Sequence, residues 1–303
     1  MSGAASYRGR FAPTPSGPLH FGSLIAALAS WLDAHAVGGE WLLRIEDIDP
    51  PRCPRGASED ILRQLEAFGL HWDGDVRHQS RRSEAYQHAL EKLATLGLAY
   101  PCGCSRKDWQ GFDHYPGWCR EGSLHPDRPQ AWRLRTDSTH QPVKVSWQDR
   151  RLGRQEWTPA ALGDVVLRRR DGFWAYQLAV TVDDGDQGIT DVVRGSDLLD
   201  NTPWQLLLQR NLDLPTPSYL HLPLARAANG QKLSKQNLAP ALPRSEEAAR
   251  TLLHAALRAL GQHPPVESLD APVQEQLCWA KSHWRSTAIG QGDIVFRPAL
   301  ESR

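Results

Sequence analysis

Between residues 7 and 45 the chain reads strand, helix, strand, and the stretch that hands the first strand to the helix is RFAPTPSGPLHFGS, Arg10 to Ser23. A strand that returns through a helix to a second strand implies a parallel pair, which limits the chain to α/β architectures. The first strand is expected over Tyr7 to Ala12, stopping at Pro13. A helix is expected from Ser23, with Leu24, Ile25, Leu28 and Leu32 on one face and Ala26, Ala27 and Ala29 allowing close packing. Gly38 and Gly39 end it. Trp41 to Ile45 reads as a buried strand that runs into acidic residues and a Pro-Pro stop.

Amphipathic helices over Ser58 to Phe68 and Ser83 to Leu96 continue the alternation, so the fold class expected is α/β of the Rossmann type, a doubly wound parallel sheet. The pattern breaks near Tyr100. Trp, Pro and Arg crowd the text as far as Arg170, which suggests a small mixed insertion. Beyond it a strand is expected over Tyr176 to Val182, a helix over Pro203 to Asn211 and a strand over Tyr219 to Leu224. After the loop ANGQKLSKQN, Pro240 and Pro243 lead to helices over Glu246 to Leu260 and Val273 to Trp284. The divisions expected are therefore 1–99, 100–170, 171–240 and 241–303.

At 303 residues, 40% hydrophobic and 23% charged, this is an ordinary globular composition. A formal net charge of zero gives no global basic field, so an RNA partner would dock on local patches. MSGAASYRGRF lacks the apolar core of a signal peptide, and no apolar run is long enough to span a membrane. Five unevenly spread cysteines do not form a disulfide framework. A cytoplasmic monomer is expected.

The opening segment lies where a doubly wound fold holds phosphates, between a strand and a helix N-terminus. It matches neither G-x-G-x-x-G nor a Walker loop. His20 can donate to a phosphoryl oxygen there, although the same prolines and glycines equally suit a plain connection. Far along the chain, KLSK places Lys232, Ser234 and Lys235 on a loop that can close over a polyphosphate. Alone, such a loop is also common solvated surface.

PSGPLHFGS resembles the HIGH signature and KLSKQ the KMSKS signature of class I aminoacyl-tRNA synthetases, in that order along the chain. RFAPTPSG with RIEDIDPPR resembles the glutamyl branch. Ser23 stands where HIGH has its second histidine, which leaves His20 as the clear imidazole. The resemblance implies ATP contacts from His20, Gly22, Ser23, Lys232, Ser234 and Lys235, with His20 and Lys235 as the catalytic pair and Mg²⁺ arriving with ATP. A glutamate pocket needs cations for two carboxylates and an acid for the ammonium. Arg10 and Arg194 can supply the first, Glu46 the second and Tyr176 a phenol at the rim. The family's glutamate site resembles this set, together with Phe11, Ala12, Pro13 and Thr14. Structural ion pairing is the plainer role for Arg194 and Glu46.

Cys102, Cys104 and Cys119 within PCGCSRKDWQGFDHYPGWC suggest one structural Zn²⁺. For the fourth ligand, imidazole is the commoner donor, which favours His114; the resemblance favours Tyr115, which we prefer. Cys53 and Cys278 read as unpaired structural thiols. LRRRDG, Arg168 to Gly172, is either an RNA contact or a solvated hairpin end. Asp183, Asp184 and Asp186 have no Ca²⁺-loop spacing.

Glutamyl-tRNA synthetases continue past the catalytic domain into a long helical anticodon-binding domain, whereas about 65 residues follow KLSKQ here. This layout resembles the shortened members of the branch. It implies tRNA-independent activation of L-glutamate with ATP, then transfer to the queuosine base at the wobble position of tRNA(Asp). The rivals are a truncated glutamyl-tRNA synthetase charging the 3′ end, a small-molecule nucleotidyltransferase and a zinc-containing RNA-binding module.

Overall fold

The computed structural model describes residues 6–137, 143–227, 229–231, 233 and 239–296. Strand β1 (Arg8–Phe11) lies parallel to β2 (Glu40–Ile45), Gly9 opposite Trp41 and Phe11 opposite Leu43, and β2 pairs in parallel with β3 (Arg77–His78). Helix α1 (Phe21–His35) makes the crossover. Its Leu24, Ile25, Leu28 and Leu32 are buried, and Ala27, Ala29 and Ala34 let the helix lie close on the sheet. Gly39 turns the chain back to β2 so near β1 that a Cβ there would sit 2.5 Å from the Tyr7 carbonyl oxygen. Only glycine fits.

Helices α2 (Ala57–Ala67) and α3 (Ser83–Thr95) follow, then β4 (Ala99–Cys102), β5 (Ala131–Leu134), the hairpin β6 (Val145–Asp149) and β7 (Gly153–Trp157), and β8 (Val166–Arg168). Helix α4 (Tyr176–Asp186), β9 (Asp191–Gly195), α5 (Thr202–Leu212), β10 (Ser218–Leu222) and β11 (Ala225–Ala227) form the second half. The chain closes with α6 (Glu246–Ala259), α7 (Val273–His283) and β12 (Ile294–Phe296), which pairs in parallel with β11. Helices α6 and α7 pack on α1, and Leu253 and Leu277 join its core. Among the described residues no helix is long and apolar enough to cross a membrane.

A second sheet has the order β7-β6-β10-β9, with β10 parallel to both β9 and β6. It meets the first sheet along β1 and β9: the Thr190 N–H donates to the Arg8 carbonyl at 3.0 Å, and the Arg8 N–H donates to Thr190 Oγ1 at 2.8 Å. The expected parallel α/β arrangement is the one observed. The interval 100–170 is not a single unit, however. Strands β4, β5 and β8 make a separate antiparallel sheet, while the hairpin between β5 and β8 crosses over to extend the main one.

Two local expectations are corrected. Tyr176 to Val182 is helix, not strand. Leu178, Ala179 and Val182 pack into the core with α3 and α5, while Gln177, Thr181, Asp183 and Asp184 are also buried and hydrogen-bonded. A helix buried nearly all round shows no polar stripe, and its short apolar run with two valines reads as strand. The first helix begins at Phe21 rather than Ser23, because His20 itself is the N-cap.

Candidate active site

The strands β1, β2, β9 and β10 all run toward one cleft, and the residues at their C-terminal ends line it. Two adjoining cavities share Phe11, Thr14, Ala26, Arg52 and Gly195. The larger, about 480 Å³, is bordered by His20, Gly22, Ser23 and Leu233. The smaller, about 380 Å³, is bordered by Arg10, Glu46, Tyr176 and Arg194.

On the first side, α1 opens with a reciprocal cap. His20 Nδ1 accepts the Ser23 N–H at 3.3 Å, and Ser23 Oγ accepts the His20 N–H at 3.4 Å. Accepting at Nδ1 leaves the proton of a neutral imidazole on Nε2. Gly22 keeps the ring there, since a Cβ would lie 3.0 Å from His20 Cε1 and 3.5 Å from Ala225 Cβ. The loop is fastened from behind by buried Gln64, whose Oε1 accepts the Leu19 N–H at 2.7 Å while its Nε2 donates to the Leu242 carbonyl at 2.8 Å. Leu242 in turn donates to the Leu19 carbonyl at 2.8 Å. Leu233, the described residue of the KLSK segment, and Ala241 beyond it therefore stand beside His20. Leu233 shares its cavity, and Ala241 bridges to it as a β-pair. Lys232, Ser234 and Lys235 themselves lie outside the described residues.

On the second side, charge is concentrated and nearly dry. Arg10 grips Asp184 through Nε at 3.1 Å and Nη2 at 3.3 Å. Arg44, fully buried, donates to Asp184 at 2.7 Å, to Gln187 Oε1 at 2.8 Å and to Glu46 at 3.5 Å. Arg44 lies on β2 and Glu46 is the residue just past its end, two positions on. Burial pushes the Glu46 carboxyl up to about 7, with Asp184 and Asp183 adding to the rise and Arg44 and Arg10 opposing it. Burial also raises the Tyr176 phenol, which keeps it neutral and a donor. Arg194 reaches Tyr176 Oη at 3.5 Å, Thr202 Oγ1 at 2.9 Å and His221 Nε2 at 3.1 Å. Phe11, Ala12 and Thr14 line this side, and Pro13 and Thr14 border the other.

Sequence reasoning missed Arg44, Arg52, Asp184, Asp149 and His221. An arginine inside the apolar strand EWLLRI and a histidine inside YLHLPL were visible signals of buried polar partners. The aspartates of α4 are not a metal cluster. Asp183 takes hydrogen bonds from Tyr86 Oη at 2.6 Å and Gln79 Nε2 at 2.9 Å, Asp184 takes the two arginines, and Asp186 pairs with Arg82 and Arg77. In LRRRDG, Arg169 pairs with Asp171 and with Asp49 at 3.1 Å, and Arg170 donates to the Cys104 carbonyl at 2.8 Å. This hairpin end ties the cysteine loops to the cleft rim.

Those loops bring Cys102, Cys104 and Cys119 together, all buried, with their sulfurs within 4.8 Å of one another. Tyr115 is buried beside them: its Oη lies 3.8 Å from Cys104 Sγ and accepts the Cys119 N–H at 3.0 Å. The Arg133 guanidinium lies 4.0 Å over the Tyr115 ring. His114 is exposed and lies over Gly163. Cys53 is partly buried and Cys278 exposed, both unpaired.

Parallel strands that deliver an imidazole-capped helix start to one cavity and a buried guanidinium–carboxylate set to its neighbour form the catalytic domain of a class I tRNA synthetase. The family described as "tRNA synthetases class I (E and Q), catalytic domain" matches residues 6–113 and 119–270. The solved glutamate-tRNA synthetase of Elizabethkingia anophelis superposes with a TM-score of 0.81 at 22% identity, over 97% of this chain and 68% of that one. That likeness speaks for the fold. Sequence relatives are nearer. Glutamyl-Q tRNA(Asp) synthetase of Ectopseudomonas mendocina is 52% identical over 288 residues, 94% of this chain and 95% of its own. The proteins of that name from Thiobacillus denitrificans and Leptothrix cholodnii are 50% and 53% identical, over 96% and 92% of this chain and 97% and 96% of their own. The chain belongs to the glutamyl-Q tRNA(Asp) synthetases within this class I family.

Proposed function

We propose that this chain joins L-glutamate to ATP as glutamyl-adenylate without tRNA, then transfers the glutamyl group to the queuosine base of tRNA(Asp). The observation that carries it is the pair of adjoining cavities. One is walled by the cap of α1, and the other by two arginines, an acid and a phenol. Arg10 and Arg194 hold the carboxylates of glutamate, Glu46 its ammonium, and Tyr176 donates at the rim. Phe11, Ala12, Pro13 and Thr14 shape the passage between the halves. ATP lies along His20, Gly22 and Ser23, its phosphates at the positive N-terminus of α1 and its Mg²⁺ brought in as part of the substrate.

An oxygen of the substrate's α-carboxylate attacks the α-phosphorus, the bond to the β-phosphate bridge breaks, and pyrophosphate leaves. The nucleophile is already an anion, so no protein base is needed. This chain supplies alignment and neutralisation: Nε2–H of His20 at the phosphates, with Lys232, Ser234 and Lys235 adding charge and hydrogen bonds as the likeness of KLSKQ to KMSKS implies.

For the cysteine cluster, three buried thiols with a phenol at their side are the donor set of a closed tetrahedral site. Burial pushes the Cys104 thiol up, and a bound cation would favour its thiolate. We assign Cys102, Cys104, Cys119 and Tyr115 as ligands of one structural Zn²⁺, with Arg133 over the Tyr115 ring offsetting the surplus negative charge. The queuosine acceptor follows the relatives' name, and a tRNA substrate places the work in the cytoplasm.

Glutamate-dependent ATP–pyrophosphate exchange without tRNA tests the first step. For the second, tRNA(Asp) with and without queuosine is charged with labelled glutamate and digested with nuclease. Label on the wobble nucleoside, absent when queuosine is absent, is expected. Label on the 3′-terminal adenosine would instead make this a truncated glutamyl-tRNA synthetase, and exchange with no need for glutamate would indicate a small-molecule nucleotidyltransferase.

A further inference from the structure

Behind Arg194 lies a buried polar chain that no role above uses. His221 on β10 and Asp149 at the end of β6 are enclosed, with His221 Nδ1 2.6 Å from Asp149 Oδ2. The carboxylate also accepts the backbone N–H groups of Arg151 at 3.0 Å, Leu152 at 2.9 Å and His221 at 3.2 Å. An acceptor so fixed puts the imidazole proton on Nδ1 and the lone pair on Nε2. That lone pair faces the Nε–H of Arg194 at 3.1 Å. Burial holds the imidazole below its ordinary value, and a neutral ring is what a guanidinium at this distance requires.

The geometry follows from strand register, since His221 and Arg194 are direct neighbours across the parallel pair β9–β10. Tyr219, two residues earlier on the same face, stacks within 8° of the His221 ring plane and lies 5.3 Å from the guanidinium carbon. Thr202 Oγ1 takes a hydrogen bond from Nη2 of Arg194. With Nε and Nη2 both engaged inward, Nη1 is the edge turned to Tyr176 and the cavity.

We propose that His221, oriented by Asp149, is a positioning residue for Arg194: its Nε2 sets the plane and roll of the guanidinium so that Nη1 meets a substrate carboxylate. The proposal rests on reading Arg194 as a ligand of glutamate. It also gives the β6–β7 hairpin a part in amino-acid recognition, because Asp149 is contributed by that hairpin.

The test is pyrophosphate exchange with KM measured separately for L-glutamate and ATP in His221→Leu, His221→Gln, Asp149→Asn and Arg194→Ala. Loss of one hydrogen bond to a charged group predicts a glutamate KM raised roughly 10- to 100-fold in His221→Leu, with the KM for ATP unchanged. His221→Gln, whose Oε1 can accept from Arg194 Nε, recovers most of the loss. Asp149→Asn behaves like His221→Leu, because an amide cannot accept from both the ring and the backbone amides with the same atoms. An unchanged glutamate KM in Arg194→Ala overturns the site reading itself. A large rise in Arg194→Ala with none in His221→Leu, or equal rises for both substrates in His221→Leu, overturns the positioning role alone. Nitrogen-15 spectra of the unaltered protein decide the case if His221→Leu does not fold: protonation at Nδ1, with a shift at Nε2 on adding glutamate, supports it, and protonation at Nε2 refutes it.

Discussion

Glutamate binding should be coupled to a proton at Glu46. The carboxyl is buried, and burial raises it from 4.5 to about 7. By that difference, ionising Glu46 costs about 3 kcal/mol more here than in water. Arg44 at 3.5 Å and the more distant Arg10 favour the ionised form, while Asp184 and Asp183 disfavour it. The ammonium of glutamate adds a cation and selects the carboxylate, so binding releases the proton wherever Glu46 still holds one. The sign follows directly: affinity rises with pH. With a midpoint near 7, the ionised fraction grows about tenfold from pH 6 to pH 8, and the glutamate KM should fall by about that factor. Burial holds His221 below its ordinary value, so Glu46→Gln is the control that separates the two groups. Exchange kinetics at fixed saturating ATP give the profile. Calorimetry at pH 7 in buffers of different ionisation enthalpy should detect about half a proton released per glutamate bound. Glu46→Gln should bind poorly and lose the slope. A flat profile in the unaltered enzyme, or the same slope in Glu46→Gln, would refute this role for Glu46.

Asp184→Ala strips Arg10 and fully buried Arg44 of their shared partner, and breaking such a pair costs on the order of 3–5 kcal/mol. A urea midpoint close to that of the unaltered protein would contradict the brace. Gly22→Ala drives a Cβ to 3.0 Å from the His20 ring and should slow adenylate formation while leaving calorimetric glutamate binding intact; equal loss of both would show a general collapse of the loop. Lys235→Ala should likewise spare glutamate binding but slow exchange by about 10²- to 10³-fold, the usual effect of losing one transition-state donor, and an unaffected rate removes Lys235 from the mechanism. Elemental analysis should find one zinc per chain, lost in Cys104→Ser and more readily stripped by chelator in Tyr115→Phe; if His114→Ala matches Tyr115→Phe in chelator sensitivity, the fourth ligand is misassigned.

The parallel α/β frame was legible because α1 carries its apolar residues at helical spacing, and because glycines and prolines mark the ends of the opening elements. The side of the cleft at the α1 cap was legible for a chemical reason: His20, Gly22 and Ser23 stand in one continuous run around a single helix start. The smaller cavity was only half legible. Arg10, Glu46, Tyr176 and Arg194 could be named, but the groups that hold them come from elements far apart in sequence. Asp184 looked like one of three loose aspartates, because α4 is polar and apolar on every side and its period was hidden. Asp149 lay inside what read as an insertion. Nothing local says that the chain between β5 and β8 returns to the main sheet, since that choice is made by the edge β10 offers to β6.

The location of the cleft follows from how the sheet is wound. From β1 the chain proceeds outward to β2 and β3, and from β9 it proceeds in the opposite direction to β10, so β1 and β9 are the neighbours from which the two halves diverge. Loops leaving adjacent strands toward opposite sides leave a crevice beyond their carboxyl ends. Arg10 and Phe11 end β1, Glu46 directly follows the end of β2 at Ile45, and Arg194 and Gly195 end β9, so both walls of the smaller cavity are built at strand ends. Strand ends can be braced from beneath, and here they are: Arg10 by Asp184, Glu46 by Arg44, and Arg194 by His221 and Thr202. Buried charges set this way reorganise little when an ionic ligand enters. If this cavity is the glutamate site proposed above, that favours selectivity for a dicarboxylate, because a neutral amino acid would leave a desolvated guanidinium without its partner.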